Sequence, residues 1–148
     1  MKPIIRKAKA ADLPAIHDLV IELAIYEKEP DAVTASLETY QKDFADGVFE
    51  AHVAEYESKI VGMMVYYLTY STWKGRMLYL EDFVVQQSSR QLGIGALLFD
   101  ALMEEGREKG VKLIKWQVLD WNEPALAFYR KIGATIEQNW WTGKLFLD

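Results

Sequence analysis

The chain contains no cysteine, and that single absence excludes disulfides, thiolate nucleophiles and thiolate metal sites. Histidine is nearly as scarce: His17 and His52 are too isolated to suggest a relay, and neither G-x-S-x-G nor H-E-x-x-H occurs. Serine-hydrolase and zinc chemistry are therefore unsupported, and no metal is expected. No apolar run approaches the length of a membrane span, and Met1 to Ala10 carries Lys2, Arg6, Lys7 and Lys9 without an apolar h-region. A reducing, cytoplasmic setting is expected. Positive charge is in deficit, with 17 Lys and Arg against 22 Asp and Glu for a formal net charge of −5. That balance disfavours a phosphate backbone as the main partner and suits small cations better.

What is present is an ordinary globular balance over 148 residues, 51% hydrophobic and 26% charged, which predicts one domain spanning the whole chain. Pro3 to Lys7 reads as a short strand, followed by a helix with Asp12 as its N-cap, Pro14 in its first turn and an end near Pro30. Leu37, Tyr40 and Phe44 suggest a second helix from Ser36 to Ala45, closed by Gly47. The periodicity then changes to strands at Glu50–Tyr56, Ile60–Tyr70 and Arg76–Val85, an antiparallel meander ending in a loop from Gln86 to Gln91. Ile94, Leu97, Leu98, Ala101 and Leu102 recur at helical spacing up to Gly110. A strand at Lys112–Val118 should lie parallel to the one before that helix, because a crossover helix joins them. A helix at Glu123–Ile132 and two closing strands, Ala134–Asn139 and Gly143–Leu147, complete the expected order.

Three features carry chemistry. Arg90-Gln91-Leu92-Gly93-Ile94-Gly95 fits R-x-x-G-x-G between a strand and an amphipathic helix, where free N–H groups and the helix dipole favour a pyrophosphate. A dinucleotide G-x-G-x-x-G fails at Leu98, and no Gly-Lys-Ser/Thr makes a P-loop; simple turn glycines remain the alternative. Glu81 and Asp82, on opposite faces of a regular strand, place one carboxylate where it can take a proton from a substrate ammonium, or leave both as solvated strand-end charges. Tyr129 follows Asn122-Glu123-Pro124-Ala125 in a short helix, where a phenol can protonate a leaving thiolate or simply pack. The aromatic group Tyr66, Tyr67, Tyr70, Trp73 and Tyr79 reads as core and cleft wall, because the basic residues of a nucleic-acid platform are missing.

With these residues in view, the chain resembles the GNAT superfamily of N-acetyltransferases, within it the spermidine/spermine (diamine) acetyltransferase group and its thialysine N-epsilon-acetyltransferase branch. The resemblance rests on Ile5-Arg6 with Ala8, Glu22-Leu23-Ala24, Tyr26-Glu27, Tyr66-Tyr67, Tyr70-Ser71-Thr72-Trp73-Lys74-Gly75-Arg76, Tyr79-Leu80-Glu81-Asp82, the R-x-x-G-x-G loop, Trp121-Asn122-Glu123-Pro124 and Phe128-Tyr129 with Gly133-Ala134. It implies an α/β (α+β mixed) fold: a mixed, mostly antiparallel sheet whose two central parallel strands splay apart, with flanking helices. It also implies acetyl-CoA as co-substrate, a small amine as acceptor and a homodimer. By the same resemblance, Phe83, Val84 and Val85 hold pantetheine through the backbone, and Arg90, Gln91, Leu92, Gly93, Ile94, Gly95 and Ala96 hold the pyrophosphate. Asn122, Glu123, Pro124, Ala125 and Tyr129 meet more of the cofactor. Glu81 is the implied base and Tyr129 the implied acid, with Tyr26, Glu27, Asp82 and Trp73 beside Glu81 at the amine. Ser71 stands where polyamine-specific relatives carry an acidic residue, which favours a thialysine or lysine-like amine over spermidine or spermine. Gln91 replaces the family's glycine after the loop arginine, and Trp141 stands at a position that is acidic in relatives and receives no role here. An acyl-CoA-binding domain without turnover is the alternative of another class.

Overall fold

The computed structural model describes residues 1–147. Five strands form one sheet in chain order: β1 (Ile4–Lys7), β2 (Glu50–Tyr56), β3 (Lys59–Ser71), β4 (Gly75–Val85) and β5 (Leu113–Lys115). The first three pairings are antiparallel and the β4–β5 pair is parallel, as expected for strands joined through a helix. That helix, α3 (Ile94–Glu108), buries Ile94, Leu98 and Leu102 of the stripe expected from the sequence together with Phe99, whereas Leu97 is exposed. Before the sheet come α1 (Leu13–Tyr26) and α2 (Leu37–Ala45).

Alternation along β3 assigns the helices to opposite faces. Met63 and Val65 join Val53 and Ala51 of β2 in a core with Leu13, Ile16, Leu19 and Val20 of α1. Residues of the other parity face α3: a Cβ added to Gly62 would lie 3.2 Å from Ile94 Cγ2 and 3.2 Å from the Val84 carbonyl, so glycine is what allows this close approach. Tyr66 and His52 are also buried, and the Tyr66 hydroxyl and His52 Nδ1 share a 2.8 Å hydrogen bond that satisfies both.

Asp12 occupies the N-cap position of α1 but makes no side-chain cap. Its carboxylate instead accepts from Arg6 Nη1 and Nη2 at 2.8 and 2.9 Å and from the Lys9 amide at 2.7 Å, tying β1 to α1. The bidentate guanidinium outcompetes the neutral amides of the helix and holds the carboxyl below its ordinary value, against the opposing effect of burial. At α2, by contrast, Ser36 Oγ does cap, accepting from the Thr39 amide at 3.1 Å. The expected loop after β4 is a 3-10 turn at Gln87–Leu92.

Residues Met1–Gln117 form one compact unit and the chain from Val118 a second. In the second unit, α4 (Glu123–Lys131) starts at Asn122, whose Oδ1 accepts from the Ala125 amide at 3.3 Å, and buries Leu126 and Tyr129. Two strand expectations are corrected here. The closing strands Ala134–Asn139 and Gly143–Leu147 do not form, and the strand expected over Lys112–Val118 is confined to Leu113–Lys115. Alternating apolar residues become a strand only where a neighbour completes the ladder, and among the described residues none pairs with these segments. Trp141, Leu145, Phe146 and Leu147 are consequently exposed.

Candidate active site

A break in one ladder builds the site. Along β3, Val65 and Tyr67 are two residues apart and share a face, so regular partners would also be two apart. Their partners are instead Asp82 and Tyr79, because the β3–β4 register shifts and leaves Glu81 without a Cα partner. This is a β-bulge. It overturns the expectation that Glu81 and Asp82 face opposite ways: the extra residue cancels one alternation, and both carboxylates line the same cavity.

That cavity, of about 320 Å³, is lined by Glu81 and Asp82 of β4, Val65 and Tyr67 of β3, Val48 and Phe49 before β2, Ala35, and Thr39, Tyr40 and Asp43 of α2. The Tyr67 hydroxyl donates to Glu81 Oε1 at 3.0 Å, and its ring stacks on Tyr79 at 5.6 Å. Asp82 accepts no hydrogen bond and forms no ion pair among the described residues. Burial, with the charges of Glu81 and Glu27 behind it, pushes its carboxyl up to about 7. Glu27 is itself raised by burial. A negatively charged recess without an internal cation is suited to receiving an ammonium, whose arrival would return Asp82 to its ionised form.

A second opening lies at the end of β4. The parallel pairing with β5 stops at Tyr79–Lys115, whereas β4 continues to Val85, so among the described residues the stretch containing Phe83, Val84 and Val85 has no strand beside it on that edge. Beyond it Gly93 takes φ +71°, a left-handed conformation that favours glycine, and no side chain caps α3. The amides of Ile94, Gly95 and Ala96 therefore remain open donors at the positive end of the helix, and no acidic residue lies in the first turn. Arg90 Nε donates to the Val85 carbonyl at 3.2 Å, which folds the loop against the strand end. An uncapped glycine-led helix beside an unpaired strand edge fits a long diphosphate-bearing ligand with an amide-rich arm.

The acetyltransferase (GNAT) family model matches residues 13–134. The chain belongs to the GNAT acetyltransferase family. This acetyltransferase is 40% identical over 141 residues to a thialysine N-epsilon-acetyltransferase from Bos taurus, covering 88% of this chain and 83% of that one. It is 34% identical over 148 residues to the spermidine/spermine N(1)-acetyltransferase-like protein 1 of Homo sapiens, covering 92% of this chain and 21% of that one. Among solved structures, an aminoglycoside acetyltransferase from an uncultured soil metagenomic sample in complex with trehalose matches with a TM-score of 0.82 and 25% identity, over 99% of this chain and 97% of that one. The family's activity makes the acetyltransferase an enzyme that uses acetyl-CoA as co-substrate.

The structure brings together some of the residues expected at the acceptor site and not others. Glu81 and Asp82 share the cavity, and Glu27 acts on Asp82 through its charge. Tyr26, at the end of α1, is outside the cavity lining, as is Trp73, which sits in the β3–β4 turn and is 82% exposed. Tyr70 is exposed as well, so the aromatic group divides: Tyr66 is core, Tyr67 is cavity wall, and Tyr70 and Trp73 are neither. Asn122, Glu123, Pro124, Ala125 and Tyr129 lie in the second unit, at the start and on the buried face of α4. The contribution of α2 was missed. Thr39, Tyr40 and Asp43 fall at i, i+1 and i+4, and the i, i+4 relation between Thr39 and Asp43 was the available signal that a polar face turned toward a site.

Proposed function

We propose that this acetyltransferase transfers the acetyl group of acetyl-CoA to the primary amine of thialysine or a lysine-like small molecule, as a single domain, in the cytoplasm and as a homodimer. The observation that carries the acceptor assignment is the bulge that turns Glu81 and Asp82 into one cavity with no lysine, arginine or histidine in its lining. The family match across both compact units supports one domain.

Acetyl-CoA supplies an activated acyl thioester. The backbone at Phe83, Val84 and Val85 is available to pantetheine and the amides from Gln91 to Ala96 to the pyrophosphate, with Arg90 bracing the loop; Asn122 to Ala125 are assigned to further parts of the cofactor by the family resemblance alone. Asp82 and Glu27 stabilise the incoming ammonium, with Tyr26 and Trp73 assigned to the acceptor by the family resemblance. Glu81 takes the ammonium proton, directly or through water, leaving a neutral amine able to attack. Tyr129, by the same resemblance, gives a proton to the departing sulfur. A polyamine acceptor is the second choice: Ser71 Oγ accepts from the amides of Trp73 and Lys74 at 3.2 and 3.1 Å, and a serine at this turn adds no carboxylate for a distant ammonium.

The test is a panel of thialysine, lysine, spermidine, putrescine and a peptide lysine, run with wild type and Tyr129→Phe. Thialysine or lysine should show the highest kcat/KM, and Tyr129→Phe should lose about a hundredfold in kcat while retaining acetyl-CoA affinity. Flat rates across the panel would defeat the acceptor assignment; coenzyme binding without any turnover would leave an acyl-CoA-binding domain.

A further inference from the structure

The acceptor cavity has a wall that the catalytic assignment does not use. Asp43 of α2 lines it together with Tyr40, whereas Glu81 and Asp82 come from β4. Several partly buried acids away from the cavity are answered by cations: Asp12 by Arg6, and Glu50 and Glu105 by Lys7 and Lys109. The Asp43 carboxylate, among the described residues, has neither a hydrogen bond nor an ion pair. The rest of the lining is largely apolar and aromatic, with Ala35, Val48, Phe49, Val65 and the Tyr40 ring. Acids from two different elements and an apolar, aromatic remainder together suit an amine with an aliphatic stem and another positive charge.

The position of Tyr40 is well determined. Its ring meets the edge of His17 at 4.7 Å with an interplanar angle of 79°, and that of Phe49 at 6.0 Å and 73°. His17 is held in turn, because its Nε2–H donates to the Ala35 carbonyl at 2.9 Å. α1 and the residue just before β2 thus hold one phenol in the cavity, with the segment before α2 bracing His17. Tyr40 lines the same cavity as Asp82 and Glu81, whose charges add to the effect of burial in raising the phenol. A cavity of about 320 Å³ lies at the lower end of the roughly 300–1,000 Å³ usual for ligand sites, enough for one short-stemmed molecule.

We propose that α2 is the specificity wall of the acceptor cavity: Tyr40 packs along the aliphatic stem of an amine bound at Glu81 and Asp82, and Asp43 receives a second positive charge on the same molecule. This rests on the amine-acceptor assignment and adds which side chains of this chain read the stem and the second ammonium that a diamine carries and that lysine carries as its α-amino group. An anionic group at the distal end meets like charge unless it stays in solvent.

Pentylamine, 1,5-diaminopentane and 5-aminopentanoate share a stem and differ only in the second group. Their affinities for the CoA-loaded protein are measured by calorimetry, and kcat/KM is measured in parallel with acetyl-CoA. Wild type should bind the diamine about tenfold more tightly than the monoamine and reject the amino acid with the distal carboxylate. Asp43→Asn should bring the diamine to the level of pentylamine, leave pentylamine unchanged and retain CoA affinity, which confirms that the variant is folded. Tyr40→Phe should retain the affinities for both amines, and Tyr40→Leu should weaken both together by several-fold. A wild type without diamine preference, an Asp43→Asn variant that keeps the preference, or a Tyr40→Leu variant that binds both amines normally would each overturn the proposal. A preference that Asp43→Asn abolishes, in a protein that never acetylates any of the amines, would uphold the specificity wall and bring down the transfer assignment instead.

Discussion

Tyr67 donates its hydroxyl to Glu81 Oε1 at 3.0 Å across the β3–β4 pair, a contact that exists because the bulge brings Glu81 onto the face of Tyr67. The phenol is raised by burial and by this carboxylate, so it remains a donor throughout the working range of pH. One of the two Glu81 oxygens is thereby oriented, and the other is left available to a substrate.

Removing that orientation should cost rate without cost to the cofactor. Tyr67→Phe keeps the stack on Tyr79 but loses the hydrogen bond, worth about 1 kcal/mol for a contact of this exposure. A drop of about fivefold in kcat/KM for the amine is expected, with the KM for acetyl-CoA unchanged. Steady-state kinetics with each substrate varied in turn checks it.

Asp82 should govern the acid limb of the pH profile. Its carboxyl, raised by burial to about 7, must ionise to receive an ammonium, so kcat/KM for the amine should climb through neutrality and flatten above it. Stability follows the opposite course. The folded state holds the proton to a higher pH than the unfolded chain, so it binds more protons between about 4 and 7, and stability falls as pH rises through that window. The loss is at most about 4 kcal/mol. Asp82→Asn should therefore raise Tm at pH 8 more than at pH 4 while weakening amine binding, as calorimetric melts and amine titrations at the two pH values would show.

Gly93 separates ligand space from protein space. Beyond its immediate chain neighbours, a Cβ added there meets no atom of the described residues within 4 Å, so the folded chain objects mainly through φ +71°, at about 1 kcal/mol. Gly93→Leu should lower Tm by only a few degrees yet weaken acetyl-CoA binding more than tenfold, because its side chain occupies the approach to the α3 amides. Undiminished coenzyme affinity in a titration would count against the pyrophosphate assignment.

The buried Tyr66–His52 pair should be structural. Tyr66→Phe leaves His52 Nδ1 without its 2.8 Å partner and should cost about 1–3 kcal/mol by denaturant unfolding, with kcat little changed. Burial holds His52 below its ordinary value, so the unfolded chain takes up this proton first as the solution is acidified. This contribution to stability is full above pH of about 6.5 and is lost as pH falls below it, the reverse of the Asp82 effect.

Local chemistry was sufficient for much of this protein. The 3.6-residue stripe of α3, the glycine-led turn before it, the meander from Glu50 to Val85 and the parallel β5 all follow from periodicity and turn residues acting over a few positions. Three things were settled by distant partners. The bulge at Glu81 depends on how β4 registers against β3, a comparison between residues some fifteen apart in sequence, so alternation read along β4 alone sent Glu81 and Asp82 to opposite faces. The tail from Ala134 has strand-like residues, but a strand needs a neighbour to complete its hydrogen bonds, and composition cannot say whether one is present. α2 reads as an ordinary surface helix until folding sets Tyr40 and Asp43 against the same cavity as Glu81 and Asp82. Sequence determines which side chains can bind an ammonium or a diphosphate; their convergence depends on register and packing, which belong to pairs of elements.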